Sequence, residues 1–301
     1  MSGAGSYSEM NSKRVQKSKS KNLKDTLGKA AHTFVTTSLL MAINSVLIVY
    51  FSTRLYEITV EPIILLQVFF TNIAVYSLNK ITDKTEDSIN KPNQNTKFQK
   101  YFSISATICY SITLIIGILD GLAFFFVLLT PLIIGFIYSV KIFKNVPRLK
   151  EILGVKSLAV ACSLTFTFTI LPTLTNTVAP EKIALVFTYI FIQLFINVII
   201  FDIIDMPGDK KANIKTIPLY LGKKRTAYFL YIVNSLLLIW ISVCFAYGTC
   251  IKYLPVTVFG MLYSYVLIWY FTKNSDKRFL AEVIVDSEGI LIATILWLII
   301  R

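Results

Sequence analysis

The chain is short of charge. Of its 301 residues only 16% are Asp, Glu, Lys or Arg, while 55% are hydrophobic. Soluble domains carry about a quarter charged residues, so this scarcity excludes an ordinary soluble enzyme. Histidine is nearly absent. His32 stands alone at the mouth of the first apolar stretch, where it reads as an interfacial residue, and histidine-dependent catalysis has no carrier. The four cysteines, Cys109, Cys162, Cys244 and Cys250, show no CxxC spacing and fall mostly inside apolar stretches. They read as small buried side chains, not as metal ligands or disulfide partners. No GxSxG, HExxH, Walker-type or Rossmann pattern stands at a strand-to-helix junction. The short alternating segments of a transmembrane β-barrel are missing too.

What the chain has instead is long apolar runs, with a mean hydropathy of +0.65. Stretches of about 18–22 residues recur, each long enough to cross a ~30 Å hydrocarbon layer as a helix. Nine are read, at 31–52, 60–78, 101–119, 121–139, 155–174, 183–203, 227–248, 253–271 and 281–300. The expected fold class is therefore an all-α integral membrane protein of nine transmembrane helices. Residues 1–30, with "SKRVQKSKSKNLKD", read as a basic, disordered tail. The first span lacks a small-residue cleavage site and reads as a retained anchor.

The formal charge of +13 raises nucleic acid as a partner, but its placement argues against one. With nine spans and the N-terminus inside, only Arg54, Lys182, Lys252 and Arg301 are non-cytosolic. That is 4 of 30 Lys and Arg, leaving 26 on the cytosolic side. This asymmetry predicts a multi-pass protein with N-terminus and polar loops in the cytosol, the basic excess facing anionic lipid or an anionic substrate.

Two acidic clusters close the second and sixth spans. In "NKITDKTEDSINKP" (79–92), Asn79, Asp83 and Asp87 recur at i, i+4 and i+8, one face if the helix continues. In "NVIIFDIIDMPGDKKANIKTIPLYLG" (197–222), Asp202, Asp205 and Asp209 recur at i, i+3 and i+7. Pro207 and Gly208 threaten to end that helix before Asp209. Lysines follow each cluster, Lys84 and Lys91 after the first, Lys210, Lys211 and Lys215 after the second. A third basic loop carries Lys141, Lys144, Arg148 and Lys150. The layout reads as a pseudo-repeat, about 31–150 and 151–272, with a last helix appended.

A carboxylate near a bilayer centre costs roughly 2.5–3.5 kcal/mol, so Asp202, inside an apolar run, points to a water-filled cavity. Carboxylates sharing a site repel unless a cation sits among them. Oxygen donors of this kind suit Mg²⁺, which keeps waters and bridges to substrate phosphates, while lysines hold the anion. A lone DxxxD is usually an ordinary loop between membrane helices. Two clusters at one face are harder to dismiss.

These residues resemble the UbiA superfamily of intramembrane prenyltransferases, whose patterns are NxxxDxxxD and DxxDxxxD. Asn79-Asp83-Asp87 and Asp202-Asp205-Asp209 match both, and "INKP", "GDKKANIKTIP…LG" and Tyr138–Ser139 are similar to family features. The resemblance covers nearly the whole chain after residue 30. It implies a bundle around a central cavity capped by cytosolic loops, with Mg²⁺ holding an isoprenyl diphosphate donor. Asp83, Asp87, Asp205 and Asp209 would be the catalytic metal ligands. Asn79 and Asp202 would complete the shell, and Lys91, Lys141 and Lys210 would face the diphosphate. The acceptor would be a hydrophobic or aromatic molecule in the bilayer. One departure stands out. Many members read NRPxRP where this chain reads "NKPNQN" (90–95), so Lys91 and Gln94 replace two arginines and no bidentate fork remains there.

Other readings stay open on sequence. A terpene cyclase of the same superfamily would share the metal site, and a transporter would share the paired polar helix ends. Asp286, in "VDSEGILIA", either reaches the cavity or lies near the cytosolic end beside Glu282.

Overall fold

The structure is a computed structural model that describes residues 39–82, 89–90, 96–139 and 151–300. The basic tail and the first residues of span one lie outside them. Among the described residues there is no strand. The helices are α1 (Leu39–Tyr56), α2 (Pro62–Thr82), α3 (Thr96–Asp120), α4 (Leu122–Ser139), α5 (Val155–Ile170), α6 (Pro180–Lys211), α7 (Ile217–Tyr247), α8 (Leu254–Lys273), α9 (Arg278–Ile284) and α10 (Glu288–Ile300). A 3₁₀ turn, Val285–Ser287, joins α9 to α10 into one rod, so every one of the nine expected spans is met by a helical rod. Seven helical segments are long and apolar enough to cross a membrane, and the protein is a multi-pass integral membrane bundle.

Helix is the only economical answer for these runs, because lipid offers backbone groups no partner. Hydroxyls inside them follow suit. Ser52, Thr71, Thr165 and Thr169 each donate to the carbonyl four residues back. Ser287 donates to Val283 in the same way, a contact that bends helices and here falls in the 3₁₀ turn. Gly222 (φ 76) breaks α7 near its start, which is why the helix begins ten residues before the expected span and changes direction there. The cysteines are all free, with Cys244 and Cys250 buried.

Each rod packs on the next along the chain, and α10 closes on α1. Helix α6 also packs on α1 and α8; α1 and α6 are the most buried spans, each at 61%, against 28% for α7. Ile104, Ile108, Ile112 and Leu119 of α3 form an outward stripe at helical spacing.

In lipid, apolar burial barely distinguishes one helix pairing from another, so polar contacts take on that task. Nearly every seam has one. Tyr110 donates to the Leu128 carbonyl across α3–α4 at 2.8 Å, and Thr167 to Val127 across α5–α4 at 3.3 Å. Trp240 donates to Leu185 across α7–α6 at 2.8 Å, and Asn234 to Met261 across α7–α8 at 2.9 Å. Deeper in the bundle, Asn197 of α6 donates to the Glu288 carboxyl at 2.5 Å. The neighbouring Gly289 N–H donates to Asn44 of α1 at 2.6 Å.

Replacing Asn197 with Leu should leave the Glu288 carboxyl without its donor and cost about 1–3 kcal/mol. Ser242→Ala, on an exposed position of α7, should stay within about 0.5 kcal/mol. Thermal unfolding in detergent tests both, and equal stability of the two variants would contradict this account.

Candidate functional site

The acidic end of α6 organises the site. The expected helix break at Pro207–Gly208 does not occur, since α6 runs on to Lys211 with Pro207 inside it. Asn213 then stops the chain in the left-handed conformation (φ 58). Asp202, Asp205 and Asp209 therefore share one helical face, as i, i+3, i+7 requires. Asp202 and Asp209 are buried, while Asp205 is partly open.

Two cations that the sequence reading missed meet this face. Lys156, in the first turn of α5, lies 3.0 Å from Asp202 and 3.1 Å from Asp209. Ser157 beside it donates to the other oxygen of Asp202 at 2.5 Å. Arg278, at the start of α9, pairs through Nη1 with Asp205, and through Nε donates to Glu282 one turn on at 2.9 Å. Burial works against the Arg278 charge, but Asp205 first and Glu282 second outweigh it and hold the guanidinium above its ordinary range.

The two pairs differ in exposure. The cations are equally exposed, Lys156 and Arg278 at 18% each, so the difference lies in the acids: the Asp202 and Asp209 side chains are 3% and 2% exposed, whereas Asp205 is 20% exposed. The first is a closed pair and the second an open one. Counting all as ionised, three aspartates and Glu282 face Lys156 and Arg278, so the described cluster keeps a surplus of two negative charges.

The segment following the first motif docks on the same place. Asn90 accepts from the Gly208 N–H at 3.1 Å and donates to the Asp205 carbonyl at 3.5 Å. A Cβ at position 208 would collide with the Asn90 amide, so only glycine admits this approach. Asn90 was noted in sequence as part of "INKP" without a role; here it ties the first motif's segment to the second motif.

The other expected site residues fall as follows. Asn79 lies near the end of α2, beside a small cavity bordered by Pro131 of α4 and Ser163 of α5. Asp83, Asp87, Lys91 and Lys141 lie outside the described residues. Lys210 does not join the aspartates. It is exposed and lines a groove of about 760 Å³ behind α6, with Lys223 and Asp276. Asp286 is buried in the 3₁₀ turn, and Glu288, two residues on, accepts from Asn197 of α6. No signal within α5 or α9 marked Lys156 or Arg278 except a cation at the edge of an apolar run.

The donor set is hard oxygen, of the kind Mg²⁺ takes. Among the described residues no three carboxyl, imidazole or thiol groups converge on one point, so a metal site here draws further ligands from elsewhere in the chain.

A multi-pass helical membrane protein with charged groups gathered at one end is the class that fold and site define. The chain belongs to the UbiA prenyltransferase family, whose model matches residues 56–283, well over half its length. No curated protein sequence matches it. Among solved structures it is similar to a UbiA homologue from Aeropyrum pernix K1 in apo form, at 14% identity and TM-score 0.62, covering 86% of this chain and 98% of that one. It is also similar to a UbiA homologue from Archaeoglobus fulgidus bound to DMAPP and Mg²⁺, at 15% identity and TM-score 0.57, over 85% and 98%. A digeranylgeranylglyceryl phosphate synthase matches at 18% identity and TM-score 0.53, over 90% and 96%.

Lys156→Met should strand two buried carboxyls and cost about 3–5 kcal/mol of stability. Adding Asp202→Asn and Asp209→Asn should recover part of that loss, by the same argument. Thermal unfolding of the single and triple variants checks it; a triple variant weaker than Lys156→Met would show that the pairing is not what stabilises this end.

Proposed function

We propose that the protein transfers an isoprenyl group from a polyprenyl diphosphate to a lipid-soluble or aromatic acceptor inside the membrane, in a Mg²⁺-dependent reaction. One observation carries the reading. The second aspartate motif sits on a single helix face, and the segment that follows the first motif is docked onto it through Asn90, in a chain of the UbiA prenyltransferase family. The structural relative bound to DMAPP and Mg²⁺ supports the choice of donor and ion.

In this reading Asp205 joins Asp83 and Asp87 as metal ligands, with Asn79 beside them. Asp209 contributes in so far as Lys156 releases it, and Asp202 with Ser157 keeps Lys156 in place. Lys91 and Lys141 face the diphosphate. Bound Mg²⁺ supplies charge neutralisation of the departing diphosphate, where negative charge grows as the allylic C–O bond breaks. The apolar bundle keeps water from the carbocation side of that bond. The acceptor's nucleophilic atom forms the new bond to C1 and gives up a proton, so that donor plus acceptor yields prenylated acceptor, diphosphate and one proton. The motif end faces the cytosol, on the distribution of basic residues.

Purified protein with labelled farnesyl or geranylgeranyl diphosphate, and membrane extract as acceptor source, should release diphosphate only with Mg²⁺. Asp83→Ala and Asp205→Ala should each lower the rate by about a hundredfold or more. The mass of the labelled product names the acceptor, and an acceptor-free terpene would turn the reading to a cyclase. Release indifferent to Mg²⁺ and to both aspartates would overturn it.

A further inference from the structure

We propose that Arg278 is a diphosphate-binding residue of this site, held on Asp205 until a divalent cation draws that carboxylate away, and kept in position throughout by Glu282. The inference rests on the prenyl-diphosphate reading above and adds a residue that neither motif contains.

Three observations support it. First, Arg278 has binding capacity to spare. A guanidinium carries five N–H donors in a planar fork, and described residues engage Nη1 and Nε. Lys156, the other cation on this face among the described residues, is shared between two buried carboxyls. Lys210 lies behind α6. Second, the pair Arg278 makes is the exchangeable one. Asp205 is 20% exposed where Asp202 and Asp209 are 3% and 2%. A partly solvated ion pair loses little when one partner is replaced by another of the same charge, so a cation arriving at Asp205 and a phosphate oxygen arriving at Arg278 conserve the charge balance.

Third, Glu282 is placed to prevent the side chain from swinging out. It holds Nε at 2.9 Å from the next turn of α9, leaving the Nη edge, which now faces Asp205, as the part that changes partner. A guanidinium is the group that grips phosphate oxygens bidentately. The chain has lysine and glutamine at 91 and 94, after its first motif, so Arg278 supplies a fork at the second motif that the "NKPNQN" segment does not.

The hand-over predicts effects of opposite sign. Calorimetry on the full-length protein in detergent, using Mn²⁺ alone and then inorganic diphosphate with Mg²⁺, reads both. In Arg278→Gln, diphosphate affinity should fall by roughly ten- to a hundredfold. Mn²⁺ affinity should rise severalfold, because Asp205 no longer has a competing cation. Arg278→Lys keeps the charge and so the fold. It should leave Mn²⁺ affinity near wild type while weakening diphosphate about tenfold, and it carries the test if the glutamine variant does not fold. A residue that merely braced Asp205 would lower both affinities together, and that result overturns the proposal. Unchanged diphosphate affinity in both variants also overturns it, while leaving the prenyl-diphosphate reading intact. Failure of the wild type itself to bind diphosphate with Mg²⁺ would remove both.

Discussion

Three carboxyl groups on one face of a largely buried helix of an apolar bundle set the terms for this end of the molecule. Charge in a low-dielectric interior must be paired or solvated, and α6 carries its acids at 202, 205 and 209, where the bundle is still closely packed. The answer is spread over the fold: α5 brings a lysine, α9 an arginine, and the segment after the first motif an asparagine amide. The path of the chain around α6 follows from that need. Helix α5 must begin close to the end of α6 for Lys156 to reach two aspartates seven residues apart, and α9 must start at the same level for Arg278 to reach the third.

The division into a closed and an open pair gives the same residue type two uses. Lys156, with Ser157, fixes Asp202 and Asp209 and so fixes the angle between α5 and α6. Arg278 meets an aspartate that still touches solvent, in a pair whose members lie 73 residues apart in the chain. Stability comes from the first and exchange is left to the second. A site that must bind and then release a highly charged anion needs both properties, because a fully buried set of ion pairs would have no reason to open.

The helical runs, the number of rods and the shared face of Asp202, Asp205 and Asp209 were legible in sequence, because apolar length and helical spacing are local properties. The continuity of α6 past Pro207 was not. Proline weakens a helix locally, and neither the hydrogen bond that the Gly208 N–H donates to Asn90 nor the continuation of the helix to Lys211 is visible from the Pro-Gly pair alone. Lys156 and Arg278 escaped for a related reason. A cation at the edge of an apolar run looks like a topological or interfacial residue, and only the packing of α5 and α9 on α6, across 53 and 73 residues of chain, turns it into a partner. Lys210, adjacent in sequence to Asp209, sits one helical step, about 100°, around from it, a separation that helical spacing already gives.

The polar groups at depth bear on how the site keeps its shape. Asn197 lies about 12 Å along α6 from Asp205, and through Glu288 and Gly289 it joins α6 to α10 and α10 to α1. Lipid tails solvate leucine as well as another helix does, so apolar contact alone would let α9–α10 slide along the bundle at little cost. A carboxyl that must find Asn197, and a backbone N–H that must find Asn44, remove that freedom, since a shift of one residue would bury both without partners. Arg278 stands on the same rod, ten residues before Glu288. The deep asparagine pair therefore sets the height at which the guanidinium arrives beside Asp205, and the geometry of the charged end is inherited from a polar lock deeper in the bundle.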